Sequence, residues 1–314
     1  MTAETRLQSA LARLRVALSG AGLERLPGAR ALYGKIHRLV FPGGERRVVV
    51  NGMPMWVDTR DRVIAAHLLG GGAWEASETA AFLAHVREGM CVFDVGANIG
   101  YYTLLAARAV GPAGRVYAFE PEPRNFELLT RNISENGLTN VRPVNAAASS
   151  REGVVRLHLD DANFGAHSFV AGSVRTSSGR SVVVRTVGLD AFAGEARAFG
   201  AGVFVKIDVQ GAEALVVEGG SRLLSLPAVT VLLEIWPEAL VRAGADARRL
   251  LAVLEDLGFR FEDVDTADAE RRPLQPARIL EVCRTRTRTW MNLLLTKPVA
   301  RSSGPPPAGG GGER

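Results

Sequence analysis

The chain has 314 residues, of which 47% are hydrophobic and 23% charged, and its mean hydropathy is +0.07. This composition can bury a sizeable core and excludes a chain that is disordered throughout. The formal net charge is +5, and only three of the 38 basic residues are lysines. Two interpretations stay open: the arginines bind an anionic partner, or they reflect the residue bias of a GC-rich genome.

The number of cysteines and the length of the apolar runs exclude further classes of protein. The two cysteines, Cys91 and Cys283, are too few for a disulfide framework or a zinc site, and we expect no metal site. No apolar run approaches the roughly 18 residues of a membrane span. The N-terminus also lacks the apolar core of an export signal. We therefore predict a cytoplasmic protein without a membrane span.

Residues 1–64 are predicted to form an N-terminal extension of helices and a hairpin. Four leucines there recur at steps of three and four residues: Leu7, Leu11, Leu14 and Leu18. Such a stripe is typical of a core or of the seam of a homodimer, and the nearby arginines leave a membrane-surface role open. Residues 45–58 predict a hairpin that turns at Asn51-Gly52. Residues 299–314 are rich in proline and glycine and are expected to be a disordered tail.

Between these segments, residues 65–298 are predicted to form one domain in which strands alternate with helices. Alternation of this kind implies a doubly wound α/β fold, with parallel strands and helices on both faces of the sheet. Helices are predicted at residues 101–110, 125–136, 212–224 and 247–257. Strands are predicted at residues 91–95, 115–120, 141–146, 154–159, 182–187, 203–209, 229–235, 261–264 and 289–295. The last two strands are expected to form an antiparallel edge.

The most specific motif is the loop Asp94-Val95-Gly96-Ala97-Asn98-Ile99-Gly100, between a strand and a helix. Such a junction is where a doubly wound sheet binds its ligand. The spacing G-x-x-x-G differs from the dinucleotide pattern G-x-G-x-x-G. A carboxylate at Asp94 would repel a pyrophosphate but would suit a cationic amino group. The loop therefore favours S-adenosylmethionine over NAD, with Asp94, Gly96, Asn98 and Gly100 at the cofactor.

Two further positions complete the predicted cofactor site. Glu120 ends the next strand, where a carboxylate can accept hydrogen bonds from both ribose hydroxyls. Ala146 lies among small residues at the end of the strand after that, where they leave room for a flat adenine ring or simply permit tight packing. A glutamate 20 residues after the last glycine of the loop, as Glu120 is, would also fit NAD. The spacing of the glycines therefore decides between the two cofactors.

A second polar cluster ends the strand at residues 203–209. Lys206 and Asp208 point to the same face because side chains alternate along a strand. Charges are rare in parallel strands, which are usually apolar throughout. Lys206 and Asp208 therefore have two possible roles. They form an ion pair at the sheet edge, or they belong to the ligand crevice, with Asp208 beside the cofactor and Glu234 of the next strand as a neighbour.

The order of these motifs resembles that of the FkbM-type S-adenosylmethionine-dependent methyltransferases. The matching segments cover most of residues 65–296: Gly71-Gly72 with Trp74-Glu75, Asp94–Tyr102, Phe119-Glu120-Pro121, Val187–Asp190, Lys206–Glu213 and Leu233-Glu234-Ile235. The resemblance implies a class I methyltransferase fold: Rossmann-like, with a mostly parallel seven-stranded sheet. It also implies O-methylation of a sugar, a polyketide or a similar metabolite. The family usually has glutamate where this chain has Gln210, which puts the role of that position in doubt.

Methyl transfer to an alcohol needs a base that removes the hydroxyl proton. Asp208 is the first candidate, because it ends the strand beside the cofactor. His167, in a loop that could cover the site, is the second candidate. Glu213 opens the following helix and either caps it or acts as an active-site acid. We predict Trp74-Glu75 as lid or pocket residues.

The alternatives to an O-methyltransferase are a methyltransferase with a nitrogen or nucleic-acid target and a nucleotide-binding module without catalysis. An N-methylating enzyme would favour a motif such as Asn-Pro-Pro-Tyr after the fourth strand, and Asp208-Val209-Gln210-Gly211 differs from it. Arg284, Arg286 and Arg288 alternate, which predicts three guanidiniums on one face of a strand. Aromatic residues are not interleaved with this run, so we expect no nucleic-acid partner.

Overall fold

The computed structural model describes residues 43–70, 74–170, 174, 179–266, 273–285 and 289–298. The predicted leucine stripe and the predicted C-terminal tail lie outside these residues, as do Gly71-Gly72 of the first matching motif. The structure starts with the predicted hairpin, formed by β1 (Glu45–Val50) and β2 (Met53–Asp58). Asn51 and Gly52 at its turn both have positive φ, 50° and 75°, as a two-residue hairpin turn requires.

The hairpin packs onto the rest of the protein. The side-chain amide of Asn132 pairs with the backbone of Trp56, accepting from its N–H at 2.6 Å and donating to its carbonyl oxygen at 3.1 Å. Met55 and Val57 are buried in the same apolar cluster as residues of the central domain. The hairpin therefore contributes to the core, while the predicted boundary at residue 64 stays a prediction.

The centre of the molecule is a seven-stranded sheet with the order β11-β12-β10-β9-β3-β4-β5. Its strands are β3 (Cys91–Val95), β4 (Arg115–Phe119), β5 (Val141–Val144), β9 (Val203–Ile207), β10 (Val229–Ile235), β11 (Arg260–Asp263) and β12 (Met291–Thr296). Six of the seven strands run in the same direction, and only β12 runs antiparallel to its neighbours β10 and β11. The predicted doubly wound sheet and its antiparallel edge are confirmed.

Helices lie between the strands along the chain. They are α1 (Ile64–Leu69), α2 (Ala76–His85), α3 (Tyr101–Val110), α4 (Pro123–Glu135), α5 (Ala193–Ala196), α6 (Glu213–Gly219), α7 (Ser221–Leu224), α8 (Pro237–Arg242), α9 (Ala247–Asp256) and α10 (Pro276–Thr285). A short 3-10 helix, Leu189–Phe192, precedes α5. The helix predicted over 212–224 is divided into α6 and α7 at Gly219-Gly220.

The sheet is buried on both faces. Alternate residues of β3 enter different apolar clusters, with Phe93 and Val95 on one face and Val92 on the other. The chain runs from β3 through β4 to β5 on one side and reaches β9 and β10 on the other. The connections therefore reverse direction between β3 and β9, and ligands bind at such a point in open α/β sheets.

Two of the nine predicted strands, at residues 154–159 and 182–187, lie outside the seven-stranded sheet. β6 (Ala147–Ala148), β7 (Gly153–His158) and β8 (Ser181–Val187) form a separate three-stranded sheet in which β7 and β8 are antiparallel. Val154 and Val183 are 70% and 58% exposed. One face of this sheet therefore meets solvent, as antiparallel sheets permit and the buried central sheet does not.

The prediction that Arg284, Arg286 and Arg288 lie on one strand is wrong for Arg284. Arg284 lies in α10, while Arg286 and Arg288 lie outside the described residues. Ile279 and Cys283 of α10 are both buried, and this four-residue step is the helical one. No helix among the described residues is both long and apolar enough to cross a membrane.

Candidate active site

The loop after β3 is held in one conformation by its backbone. The N–H groups of Gly96 and Ala97 both donate to the carbonyl oxygen of Phe119, at 3.1 and 2.9 Å. Gly96 has a φ of +86°, and a Cβ there would overlap the backbone oxygen of Asp208. Only glycine lets the loop approach β9 this closely. The loop and Asp208, far apart in the sequence, are therefore in direct contact.

Asp94 ends up buried next to that loop, with 1% of its surface exposed. Its Oδ2 accepts a hydrogen bond from the Thr103 hydroxyl at 2.6 Å. Its Oδ1 is buried and has no hydrogen-bond partner in the described structure. Burial raises the pKa of Asp94, while Lys206 opposes the shift. A buried carboxylate oxygen without a partner is costly unless a ligand satisfies it.

Glu120 is also buried, just beyond the end of β4. Its two oxygens accept from backbone N–H groups, Oε2 from Asn98 at 2.8 Å and Oε1 from Glu122 at 2.9 Å. Burial raises its pKa to about 8, although these hydrogen bonds lower it. The carboxylate is therefore fixed against the glycine loop, and its assignment to the ribose stays a prediction.

Another loop covers this region. The carbonyl oxygen of Phe164 accepts from the side-chain amides of Asn98 and Asn125, at 3.0 and 3.1 Å. His167 lies in the same loop, and its Nδ1 accepts from the N–H of Asp160 at 3.0 Å. Burial lowers the pKa of His167 to about 4. The ring is therefore neutral at pH 7, with one nitrogen occupied in holding the loop.

The polar cluster predicted at the end of β9 is present and more connected than the sequence indicates. Lys206 Nζ lies 3.2 Å from Asp208 Oδ2. The side-chain amide of Gln210 donates to both Asp208 Oδ1 and Glu234 Oε1, at 3.0 and 2.9 Å. Burial would lower the pKa of Lys206, but the carboxylates of Asp208, Glu75 and Asp94 outweigh it and the pKa is raised.

These side chains line a small, partly open cleft with room for about one water molecule. The residues that line it come from α2, β9, β10 and β12 and the segments beside them: Glu75, Glu78, Lys206, Ile207, Asp208, Leu232, Glu234 and Asn292. The sequence predicted Glu75 as a pocket residue, but not Glu78 or Asn292, whose side chains are hydrogen-bonded to each other. A polar residue in the apolar strand MNLLLT was the available signal for Asn292.

Two other predicted site residues, Glu213 and Ala146, are not among the residues that line this cleft. Glu213 is fully buried at the start of α6, where its Oε1 accepts from the N–H of Gly211 at 2.9 Å and its Oε2 has no partner in the described structure. Burial raises its pKa to about 7. This contact is that of a residue binding the N-terminal turn of its own helix. Ala146 is buried after β5, with its N–H bonded to Val144.

Backbone strain also concentrates here. Four non-glycine residues of the described structure have positive φ, and three of them, Glu75, Asn98 and Gln210, belong to the cleft or to the loop after β3. The fourth, Asn51, is in the hairpin turn. Such conformations cost free energy and cluster at functional sites. Among the described residues, no group of three or more His, Cys, Asp or Glu side chains is arranged to hold a metal ion.

The doubly wound, mostly parallel seven-stranded sheet with this carboxylate-flanked glycine loop has the class I methyltransferase fold. Residues 94–261 match the family model described as the methyltransferase FkbM domain. This match spans more than half of the chain. The protein therefore belongs to the FkbM family of methyltransferases.

Curated relatives are similar over shorter stretches. A protein-L-isoaspartate O-methyltransferase of Methanothrix thermoacetophila is 41% identical over 59 residues, which cover 19% of this chain and 28% of the relative. The 31-O-demethyl-FK506 methyltransferase FkbM of Streptomyces tacrolimicus is 35% identical over 33% of this chain and 38% of its own length. The chain thus spans about a third of these two relatives.

The similarity extends further in two other proteins. The hexuronic acid methyltransferase AglP of Haloferax volcanii is 28% identical over 182 residues, which cover 57% of this chain and 67% of the relative. The crystal structure of an FkbM methyltransferase from Methylobacillus flagellatus is 16% identical, with a TM-score of 0.37, over 66% of this chain and 43% of that one.

Proposed function

We propose that this protein methylates a hydroxyl group of a sugar, a polyketide or another small metabolite, which makes it an O-methyltransferase. One observation carries the proposal: the glycine loop after β3 and the carboxylate-lined cleft share a wall, because Gly96 is in contact with the backbone of Asp208. A hydroxyl bound in the cleft would therefore lie next to a cofactor bound by the loop. Carboxylates suit such an acceptor because they accept hydrogen bonds from hydroxyls.

The residues of the loop fit the cofactor. S-adenosylmethionine supplies a methyl group on a sulfonium, already activated for transfer. The buried Asp94 Oδ1 lacks a partner and would receive the cationic amino group. Glu120 is placed to bind the ribose hydroxyls, and we assign Gly96, Asn98 and Gly100 to the loop around the cofactor. Ala146 remains our proposed contact for the adenine ring.

The cleft residues would hold the acceptor. We propose that Asp208, which lines the cleft and adjoins the glycine loop, accepts a hydrogen bond from the acceptor hydroxyl and orients it for in-line attack. His167 holds the loop that covers the cofactor region. Glu213 stabilises the turn that carries Asp208. The names of AglP and FkbM support a sugar or a polyketide as acceptor, and we retain the proposals of a cytoplasmic protein, a homodimer and no nucleic-acid partner.

An acceptor screen tests this function. The purified protein is incubated with S-adenosylmethionine tritiated on the methyl group and with methyl glycosides of neutral sugars, uronic acids, hydroxylated macrolides, simple amines or transfer RNA. We expect tritium in a hydroxylated acceptor, as an ether that resists alkaline hydrolysis. Transfer only to the amines or to RNA would contradict the proposal, and so would binding of S-adenosylhomocysteine with no transfer to any hydroxyl.

The pH dependence of nucleoside binding tests the assignment of Glu120. Since the pKa of this carboxyl is about 8 and ribose hydroxyls donate to its ionised form, affinity should rise as the pH rises through 8. We expect methylthioadenosine, which has a ribose but lacks the cationic α-amino group of the amino-acid part, to bind about tenfold tighter at pH 9 than at pH 7. Calorimetry measures this, and Glu120→Gln should bind weakly with no such rise. A wild-type affinity that is flat over this range would refute the assignment.

A further inference from the structure

We propose that Glu75 is the base that takes the proton of the acceptor hydroxyl. The inference rests on the proposed function and concerns the same cleft. Glu75 stands directly before α2 and lines the cleft together with Lys206 and Asp208. In the sequence Glu75 lies more than a hundred residues before β9, so only the folding of the chain brings it to the site.

The backbone and the side chain of Glu75 are both constrained. Its φ is 47° and its ψ 67°, a left-handed conformation that a glutamate adopts only at a cost. The hydroxyl of Tyr102 donates to Glu75 Oε2 at 3.0 Å. No described residue donates a hydrogen bond to Oε1, so one oxygen is available for a substrate proton. The tyrosine thus aims the carboxylate while leaving it a free acceptor.

The other carboxylates of the cleft have partners that occupy them. Asp208 is held at both oxygens, by Lys206 on Oδ2 and by Gln210 on Oδ1. Glu234 accepts from the same amide of Gln210. Asp208 is therefore suited to orienting a hydroxyl, because both of its oxygens already have partners within the protein.

Several charged groups surround Glu75: Lys206 and Asp208 from the β9 segment, Glu78 from α2, Glu234 from β10 and Tyr102 from α3. Burial raises the pKa of Glu75 to about 7, Lys206 opposes the shift, and Asp208 and Glu78 add to it. Burial, together with Asp208 and Glu75, holds the pKa of Glu234 well above its usual range. The pKa of Glu75 is thus suited to general-base catalysis near neutrality, in addition to its position in the cleft.

The step balances with the proposed methyl transfer. The acceptor oxygen forms its bond to the methyl carbon while its O–H bond breaks, and the proton passes to Glu75. The electron pair of the broken carbon–sulfur bond stays on sulfur, which becomes a neutral thioether. Glu75 returns to its ionised form by releasing the proton to solvent when the products leave.

Kinetics with the hydroxylated acceptor found in the screen test this role. We expect the kcat of the wild-type protein to rise with pH to a plateau above about 7, since the base must be ionised. Glu75→Gln should lower kcat by at least about 100-fold and abolish the rise of kcat with pH. The Kd of S-adenosylhomocysteine should change less than twofold. The hydrogen bond from Tyr102 lowers the pKa of Glu75. Tyr102→Phe removes this hydrogen bond and should therefore move the midpoint of the kcat profile to higher pH. Asp208→Asn should move it downward, because a like charge is removed.

A spectroscopic measurement makes the test independent of the acceptor. With glutamate labelled at the carboxyl carbon, several NMR signals should titrate between pH 7 and 8, because the pKa values of Glu213 and Glu120 also lie there. One signal that titrates near pH 7 in the wild type should be absent in Glu75→Gln, while Glu218→Gln on the exposed face of α6 keeps that signal and full activity. A Glu75→Gln enzyme with wild-type kcat and pH profile would overturn the proposal while leaving the methyltransferase function intact. The proposal would also be overturned if Glu75→Gln removed no NMR signal that titrates near pH 7 in the wild type. Failure of all hydroxyl acceptors would instead overturn the function.

Discussion

Replacing Asp94 with asparagine is expected to weaken the binding of S-adenosylhomocysteine by at least about 100-fold. The carboxylate is buried, its Oδ1 has no partner in the described structure, and the ligand carries a cationic amino group that would provide one. Removing one member of a buried ion pair costs about 3 kcal/mol or more, which corresponds to a factor of about 100 in Kd. Isothermal calorimetry at pH 8 measures the change directly.

The same substitution should not destabilise the protein without ligand. Burial raises the pKa of Asp94 above its value in the unfolded chain. A carboxyl of this kind opposes folding once the pH exceeds its unfolded pKa, and a neutral isostere removes that cost. Asparagine can still accept from the Thr103 hydroxyl. We therefore expect the ligand-free Asp94→Asn protein to melt at or above the wild-type temperature at pH 8.

Asp190→Asn is a matched control for this prediction. Asp190 accepts from the backbone N–H groups of Arg222 and Leu223 at the start of α7, on a different part of the molecule. Its substitution should leave the Kd unchanged. Loss of ligand affinity in both variants, or a lower melting temperature for Asp94→Asn with unchanged affinity, would show that Asp94 supports the fold and not the cofactor.

The cofactor loop could be predicted from sequence because its chemistry is local. Asp94, Gly96 and Gly100 lie within seven residues, and glycines beside a carboxylate at a strand end have few alternative explanations. Glu120 follows the next parallel strand, which places it at the same edge of the sheet. The alternation of apolar strands with amphipathic helices likewise predicted the central sheet, since each element must bury a face.

The lining of the cleft is nonlocal, and this is why it was only partly predicted. Glu78 and Asn292 are separated by 214 residues and meet because β12 inserts antiparallel between β10 and β11. Nothing in the strand pattern specifies that insertion. The separate sheet of β7 and β8 escaped prediction for a related reason: short apolar strands do not reveal which partner strand they pair with.

Glutamine at position 210 illustrates what the structure adds to a motif. The sequence left the role of Gln210 in doubt, because the related family usually has glutamate there. In the structure its amide bonds two carboxylates, Asp208 and Glu234, at once. A glutamate in this position would require a proton or a cation to make the same contacts. The departure from the family pattern is therefore compatible with the same arrangement of carboxylates.

Gly96→Ala is expected to lower the free energy of unfolding by more than about 3 kcal/mol. The new Cβ would overlap the backbone oxygen of Asp208, and neither backbone can move independently, since Gly96 is bonded to Phe119 and the N–H of Asp208 to Val95. The positive φ of +86° adds strain of its own. Urea unfolding followed by circular dichroism gives the change from the midpoint at constant slope.

Gly137→Ala separates the overlap from the strain. Gly137 also has a positive φ, +62°, but no atom lies within 4 Å of the position that its Cβ would occupy. This variant should lose only the conformational cost, about 1 kcal/mol. If both variants unfold within about 1 kcal/mol of each other, the contact between the loop and β9 is looser than described, and the shared wall that supports the proposed function fails with it. A Gly96→Ala protein that does not fold at all, beside a folded Gly137→Ala protein, agrees with the prediction.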